Sequence, residues 1–388
     1  MSKIVNIAII GVGNMGACHA KWLKEIPLSK LVAICDTDLE KGQKVALDAG
    51  CAFFPDYESL LQARICDAVV IATPHYDHTN IGIAALTAGY HVLVEKPISV
   101  HKADCLRLIA AYTNPKQIFG AMFNQRTDPH YKKAKQLISG GELGQIQRVN
   151  WIITNWYRTQ HYYNSGGWRA TWGGEGGGVL LNQCPHNLDL LQWLCGMPQK
   201  VTAVGAIGKY HDIEVEDDIT AILEYANGAT GVFITTTGEA PGTNRLEIAG
   251  SNGKLVIETG KGIVFIRNEV PSDHHLKTCK ASFDTPPVWN IDIPINGHGG
   301  QHKEILQNFV EAVLGKAELI APAVEGIHSV ELGNAMLYSA LHQQPVLLPL
   351  NEQQYEDFLK GKIKNSKFVK TVVAVAEPNE NFSSSFGK

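Results

Sequence analysis

Two stretches set a titratable side chain where its surroundings would alter its chemistry. In Glu175 to Gly196, EGGGVLLNQCPHNLDLLQWLCG, a glycine run leads into Val179-Leu180-Leu181, which reads as a short strand ending at Asn182. Pro185 follows where a helix would begin, a position that suits proline because its missing N–H would be unpaired there anyway. Leu188, Leu191 and Leu194 repeat at helical spacing, and Gly196 before Met197-Pro198 stops the helix. His186 then falls in the first turn, where the positive end of the helix dipole disfavours imidazolium and keeps a neutral base available. Asp189 is one turn on and is expected to orient that imidazole. The plainer alternative is a capping histidine beside a solvated acid. The second stretch is Glu95-Lys96-Pro97, at the end of the apolar run His91 to Val94. A lysine fixed between a strand end and a proline is partly desolvated and suited to polarising a hydroxyl, unless it is an ordinary surface lysine.

The elements that must position these groups begin with Ile4 to Ile10, a β-branched run typical of a strand buried on both faces of a parallel sheet. Gly11-Val12-Gly13-Asn14-Met15-Gly16 follows and opens a helix. Its glycines permit a tight turn, close backbone approach to a pyrophosphate and tight helix–strand packing. A second strand, Leu31 to Cys35, ends at Asp36, 36 − 16 = 20 residues after the last glycine, where an acid can hold the adenine-side ribose. Thr37 follows with no adjacent Arg or Lys to receive a 2′-phosphate, which favours NAD over NADP. A third strand, Ala68 to Ala72, ends in Thr73-Pro74-His75-Tyr76-Asp77-His78; His78 either caps the next helix or reaches the cofactor ribose. Open α/β sheets place ligands at such strand ends.

Composition narrows the class. The chain has 388 residues, 45% hydrophobic and 19% charged, enough for about two domains. A net charge of −4 gives no basic field for nucleic acid or an anionic membrane. No apolar run reaches the roughly 20 residues that span a bilayer. The eight cysteines form no CxxC pair and read as reduced thiols in a cytoplasm. No HxH, HExxH or carboxylate cluster supports a metal site.

Beyond an amphipathic stretch from Asp128 to Ser139, strand signals dominate: Gln147 to Tyr157, Lys200 to Ile207, Asp218 to Tyr225, Thr230 to Thr236, Arg245 to Ala249, Lys254 to Glu258 and Ile263 to Arg267. They predict a large, mostly antiparallel sheet with helices on one face and the other face left open. Trp156, Tyr157, Arg158, His161, Tyr162, Tyr163, Trp168, Arg169 and Trp172 sit in a glycine-rich loop. Their rings could stack on sugar C–H faces while polar groups read hydroxyls, or they form a packed loop core. Ile291 to His302 is a second polar loop whose His298 and His302 either reach the cleft or cap the loop.

With GVGNMG, the acid after the second strand, ATPHYDH, EKP and the downstream HNLD helix, the chain resembles the Gfo/Idh/MocA family of glucose-fructose oxidoreductase-like and inositol dehydrogenases, from about Ile4 to Phe368. The resemblance implies an NAD-binding Rossmann domain over 1–122 with a doubly wound parallel sheet. A substrate-binding and oligomerisation α+β domain over 123–368 follows, then a frayed tail over 369–388. It implies that Lys96 and His186 flank a reacting carbinol, with Asn182 standing where the family carries an acid. Asparagine can bond a hydroxyl but cannot titrate. It also implies cofactor-side roles for Glu95, Asn124, Trp168 and Arg169, and contacts from Arg126 to the ligands unless Arg126 is a structural ion pair; a family-like association through the open sheet face would make a homodimer or homotetramer. The expected reaction is reversible oxidation of a secondary hydroxyl of a cyclic polyol, sugar or glycoside. His186 would serve as base and Lys96 as the cation that steadies the alkoxide, with those roles open to exchange. A redox-neutral glycosidase on the same fold and a non-catalytic nucleotide sensor are the alternatives.

Overall fold

The computed structural model describes residues 3–373, so the tail from Glu377 lies outside the described residues. β1 (Val5–Ile10), β2 (Ser29–Cys35), β3 (Ala52–Phe54), β4 (Ala68–Ile71), β5 (His91–Val94) and β6 (Phe119–Ala121) form a parallel sheet ordered β3-β2-β1-β4-β5-β6. The order reverses beside β1, the switch point at which a crevice opens outside the strand ends. Ile7, Ile9, Val69 and Val70 are wholly buried, as β-branched runs between two helical layers require. Gly16 lets the helix Asn14–Leu23 press against the first turn, because a Cβ there would lie 1.9 Å from the Gly11 carbonyl oxygen.

The second sheet has nine strands: β7 (Ile146–Ile153), β8 (Lys200–Ile207), β9 (Glu216–Glu224), β10 (Thr230–Thr236), β11 (Asn244–Gly250), β12 (Gly253–Glu258), β13 (Gly262–Asn268), β14 (Val288–Ile293) and β15 (Val346–Leu347). Their order is β14-β13-β12-β11-β7-β10-β9-β8-β15, antiparallel throughout except for β7 beside β10. Alternate residues of β9 to β12 are buried, so one face meets the helices Pro185–Cys195 and Gly326–His342 while the other stays open. The chain then returns to the first sheet: Ile305, Leu306, Phe309 and Val310 of the helix Gln301–Val313 join its core. Among the described residues no helix is long and apolar enough to cross a membrane.

The structure departs from expectation in several places. Residues 179–181 form turns, not a strand. The amides of this bend are collected by one residue of β9: Gly178 and Leu180 donate to the Glu216 carboxylate at 2.9 and 3.1 Å, and Val179 donates to its carbonyl at 2.9 Å. The glycines permit that approach, since a Cβ on Gly178 would stand 1.9 Å from the Glu216 carbonyl oxygen. The first long strand stops at Ile153, and part of the second polar loop pairs as β14. β3 and β6 are too short, at three residues each, to carry a periodicity. At the far end, Lys370 donates to the carbonyls of Tyr163 and Arg169 at 2.6 Å, so residue 370 is fastened where a frayed tail was expected.

Of the two readings of Arg126, the structure shows the ion pair and not the ligand contact. Arg126 is buried and donates to both oxygens of Asp189, Nε at 2.7 Å and Nη2 at 2.6 Å, while Nη1 reaches Glu325 at 2.6 Å. It therefore ties the turn Asn124–Thr127 to the helix Pro185–Cys195 and does not face a ligand. Asp189 is correspondingly unavailable to His186. Replacing Arg126 by alanine leaves the Asp189 carboxylate buried without its cation. Urea unfolding is expected to show a loss of roughly 3–5 kcal/mol, partly recovered by adding Asp189→Asn.

Candidate active site

A cavity of about 820 Å³ opens at the carboxyl ends of β1, β2, β4 and β5 and continues under the sheet half. Its nucleotide end is the first turn. Gly11, Gly13, Asn14 and Met15 line it, and a Cβ on Gly13 would meet nothing within 4 Å, leaving room for close backbone approach by a ligand. Gly16 lies behind this wall and shapes it by packing. Asp36 closes the end, its carboxylate accepting from the amides of Val12 at 2.6 Å and Asp38 at 2.9 Å. Lys41 also lines this end. Thr73 and Pro74 follow, and the buried Thr73 hydroxyl has no hydrogen-bond partner among the described residues. An open glycine turn, an acid at the second strand and an orphaned hydroxyl between them fit a dinucleotide.

His78 lines the same wall, but its nitrogens face the carbonyls of Pro97 at 2.8 Å and Thr73 at 2.9 Å. It braces the two strand-end turns, which corrects the ribose role. Glu95 is fixed by His19, 2.7 Å away. Burial would raise its pKa, but the His19 hydrogen bond with the His19, His302 and Lys96 charges holds it at about 2.

The other end of the cavity brings Lys96, Asn182 and His186, the residues expected to react, into one wall. Lys96 Nζ donates to the Asn182 carbonyl at 2.9 Å. Burial lowers its pKa; Glu95 and Glu175 oppose that shift while Arg169 and Arg158 add to it. His186 is 3% exposed, and neither ring nitrogen has a partner among the described residues. Burial first, then the charges of Lys96 and His302, push its pKa well below the ordinary histidine value. The imidazole is therefore neutral, with both nitrogens open to a ligand.

Trp156, Arg158, Tyr162, Trp168 and Arg169 complete this end. The Arg158 guanidinium lies 5.4 Å from the Trp156 ring and 5.1 Å from that of Tyr162; Arg169 lies 4.7 Å from both Tyr162 and Trp168. The arginines are thus sandwiched among aromatic faces. Their neighbours are placed elsewhere. Tyr157 points outward at 50% exposure because an extended segment alternates its side chains, so Trp156 and Arg158 take the cavity side. His161 is exposed, and Tyr163 is buried against Thr237 with its hydroxyl at 2.8 Å. Asn124 donates to Gln301 at 2.8 Å behind the wall, and His298 is exposed. His302 does line the cavity, stacked 5.3 Å from Trp22, and burial lowers its pKa to about 4.

Three residues here were not singled out from sequence. Gln183 lines the cavity with a buried Oε1 that has no partner among the described residues; its place beside Asn182 was the available signal. His75 packs edge-on to Trp168 at 5.5 Å, signalled only by lying at a strand end. Glu175 is buried beneath Asn182 and had no signal beyond heading the glycine run. Two groups with metal-ligand side chains, His275 with Cys279 and Asp284, and His101 with Asp104 and Glu356, lie outside the cavity wall.

Comparison with known proteins agrees with this geometry. The family model described as an oxidoreductase family with an NAD-binding Rossmann fold matches residues 5–123, and that of the GFO/IDH/MocA C-terminal domain matches 131–256. Inositol 2-dehydrogenase of Rhizobium meliloti (strain 1021) is 24% identical over 88% of this chain and 98% of its own. The 2,7-anhydro-N-acetylneuraminate hydratase of Mediterraneibacter gnavus is 31% identical over 58% of this chain and 62% of its own. The WlbA dehydrogenase of Bordetella pertussis, solved with NADH and UDP-GlcNAcA, is 27% identical with a TM-score of 0.74, covering 90% of this chain and all of that one.

The acid at Asp36 would repel a 2′-phosphate that Lys41 could otherwise accept. Asp36→Ser is expected to weaken NADH binding by about tenfold, the value of one hydrogen bond to a charged group, and to move preference towards NADPH. Fluorescence titration with both nucleotides checks this.

Proposed function

This chain belongs to the GFO/IDH/MocA oxidoreductase family, and from that premise we propose that it reversibly oxidises a secondary hydroxyl of a cyclic polyol, sugar or glycoside with NAD. The observation that carries the reading is His186: a buried imidazole, kept neutral, with both nitrogens unpartnered among the described residues, in one cavity wall with Lys96. His186 takes the proton of the hydroxyl. Lys96, its Nζ held by one bond to the Asn182 carbonyl, presents the remaining ammonium protons to the oxygen as negative charge grows there. When bound, NAD supplies the acceptor for the hydride. The faces of Trp156, Tyr162 and Trp168 suit C–H surfaces of a ring, while Gln183 and Asn182 offer polar groups to its hydroxyls. Arg158 and Arg169 add reason to include acidic sugars among the substrates tried.

Val204 and Ile222, 69% and 51% exposed on the open face of the second sheet, support extending the proposal to a homodimer or homotetramer. A redox-neutral reaction has one observation in its favour, the relative named as a hydratase. Accumulation of NADH at 340 nm across a panel of inositols, sugars, uronates and glycosides supports oxidation; product formation without it supports the neutral route.

Lys96→Ala and His186→Ala are each expected to reduce kcat by roughly a hundred- to ten-thousandfold while NADH still binds. Near-normal turnover in either variant removes that residue from the reaction. The pH profile follows from the two pKa directions. Activity needs His186 neutral and Lys96 charged, and both pKa values are lowered. The acid limb of kcat/KM should therefore fall below the ordinary histidine pKa of about 6.5, and the alkaline limb below the lysine value of about 10.4. An acid limb at or above the ordinary histidine value would contradict His186 as base.

A further inference from the structure

The reaction as read above leaves one buried carboxylate beside the cavity unused. Glu175 is 1% exposed and heads the glycine turn. Its Oε2 accepts from the Ala170 amide at 2.7 Å, and its Oε1 accepts from Nδ2 of Asn182. The Arg169 guanidinium stands 4.0 Å from Oε1. Asn182 lines the cavity, and its backbone carbonyl is the group that Lys96 holds. Its Oδ1 has no hydrogen-bond partner among the described residues. Burial pushes the Glu175 pKa up, while the Arg169 charge and the hydrogen bonds from the Ala170 amide and Asn182 favour the ionised form; a carboxamide has a donor edge and an acceptor edge, and an ionised carboxylate can only accept. The Ala170 amide can only donate, so it fixes Oε2 as an acceptor; Oε1 then takes the donor edge of Asn182.

We propose that Glu175 is a positioning residue for the reaction: its carboxylate locks the Asn182 carboxamide so that Oδ1, and not Nδ2, is offered to the substrate. This rests on the dehydrogenase reading above. The consequence concerns what the site can bind next to Lys96. With Oδ1 presented, Asn182 accepts a hydrogen bond from a substrate hydroxyl. With Nδ2 presented, a second donor would stand beside the ammonium and the hydroxyl proton would find no acceptor there. A buried group left unpaired in this way costs more than the bond it loses.

The lock can be inverted without changing its shape. In Glu175→Gln the Ala170 amide still needs an acceptor, so the new carboxamide turns its oxygen to Ala170 and its NH2 to Asn182. Asn182 must then turn over and present Nδ2 to the cavity. Adding Asn182→Asp restores an acceptor on both sides: one oxygen accepts from the carboxamide introduced at position 175 and the other faces the substrate. Steady-state kinetics on the best substrate from the panel should show kcat/KM of E175Q reduced by about tenfold or more, on the order expected for losing a hydrogen bond in a charged setting. NADH binding should be unchanged, and E175Q/N182D should recover most of the loss. A simple packing role would give additive losses in the double variant. Wild-type-like kinetics in E175Q, or a double variant no better than E175Q, overturns the proposal while leaving the dehydrogenase reading intact. A second readout does not need turnover. In protein labelled with 15N-asparagine, the Asn182 side-chain NH2 signal, assigned by its absence in N182D, should carry one downfield proton from the carboxylate bond. That proton should move upfield in E175Q; an unmoved signal overturns the proposal even if no panel substrate is oxidised.

Discussion

The bond from Lys96 Nζ to the Asn182 carbonyl is the contact on which the site depends. It runs from the turn after β5 to the glycine turn before the helix Pro185–Cys195, and so joins residues of the two sheet systems at one point of the cavity. Desolvating an ammonium is costly, and the cation persists only where acceptors and negative charge offset that cost. Here the offset comes from one carbonyl and from two buried carboxylates, Glu95 and Glu175. The arginines on the aromatic stack act in the opposite direction. The balance leaves a lysine more acidic than usual, which suits the role proposed for it beside a hydroxyl that loses and regains its proton.

The glycine turn is the less expected half of that contact. A strand at Val179–Leu181 would have needed a neighbouring strand for its amides. The bend instead passes close enough to β9 for the Glu216 carboxylate to collect two of them and its carbonyl a third. Burial raises the pKa of that carboxylate to about 7. Three successive glycines make the close approach possible, and the same run ends at Asn182 and begins at Glu175. The backbone geometry that spares a strand therefore also brings an acid under the asparagine.

How much of this was legible follows the range over which each residue acts. The nucleotide half is written locally: a β-branched run, glycines at fixed spacing and an acid at the next strand end each specify their own neighbourhood. Lys96 and His186 were visible for the same reason, since the prolines beside them fix their place on an element. What could not be read were choices between partners far apart in sequence. Asp189 was near His186 along its helix, but a guanidinium 63 residues away offers it two parallel bonds, and the bidentate pair wins. His78 at a helix start suggested a cap or a ribose contact, yet two carbonyls claim its nitrogens. The aromatic loop announced a ligand, but which of Trp156, Tyr157 and Arg158 faced it depended on the phase of an extended segment that composition does not encode.

The loss of Asp189 as a partner for His186 bears on which residue is base and which is cation. A carboxylate beside the imidazole would favour imidazolium and make His186 a competitor of Lys96 for the same charge. With Asp189 taken by Arg126, the acids that reach the reacting end are Glu95 and Glu175, and both act to raise the pKa of Lys96. Around His186, burial and then the neighbouring Lys96 and His302 disfavour protonation, and Glu95 favours it. A charged Lys96 in the same wall disfavours protonation of His186. The distribution of acids supports the proposed assignment of Lys96 as the cation and His186 as the base. Under that proposal Arg126, which does not line the cavity, supports the division of roles by holding Asp189 in a bidentate pair.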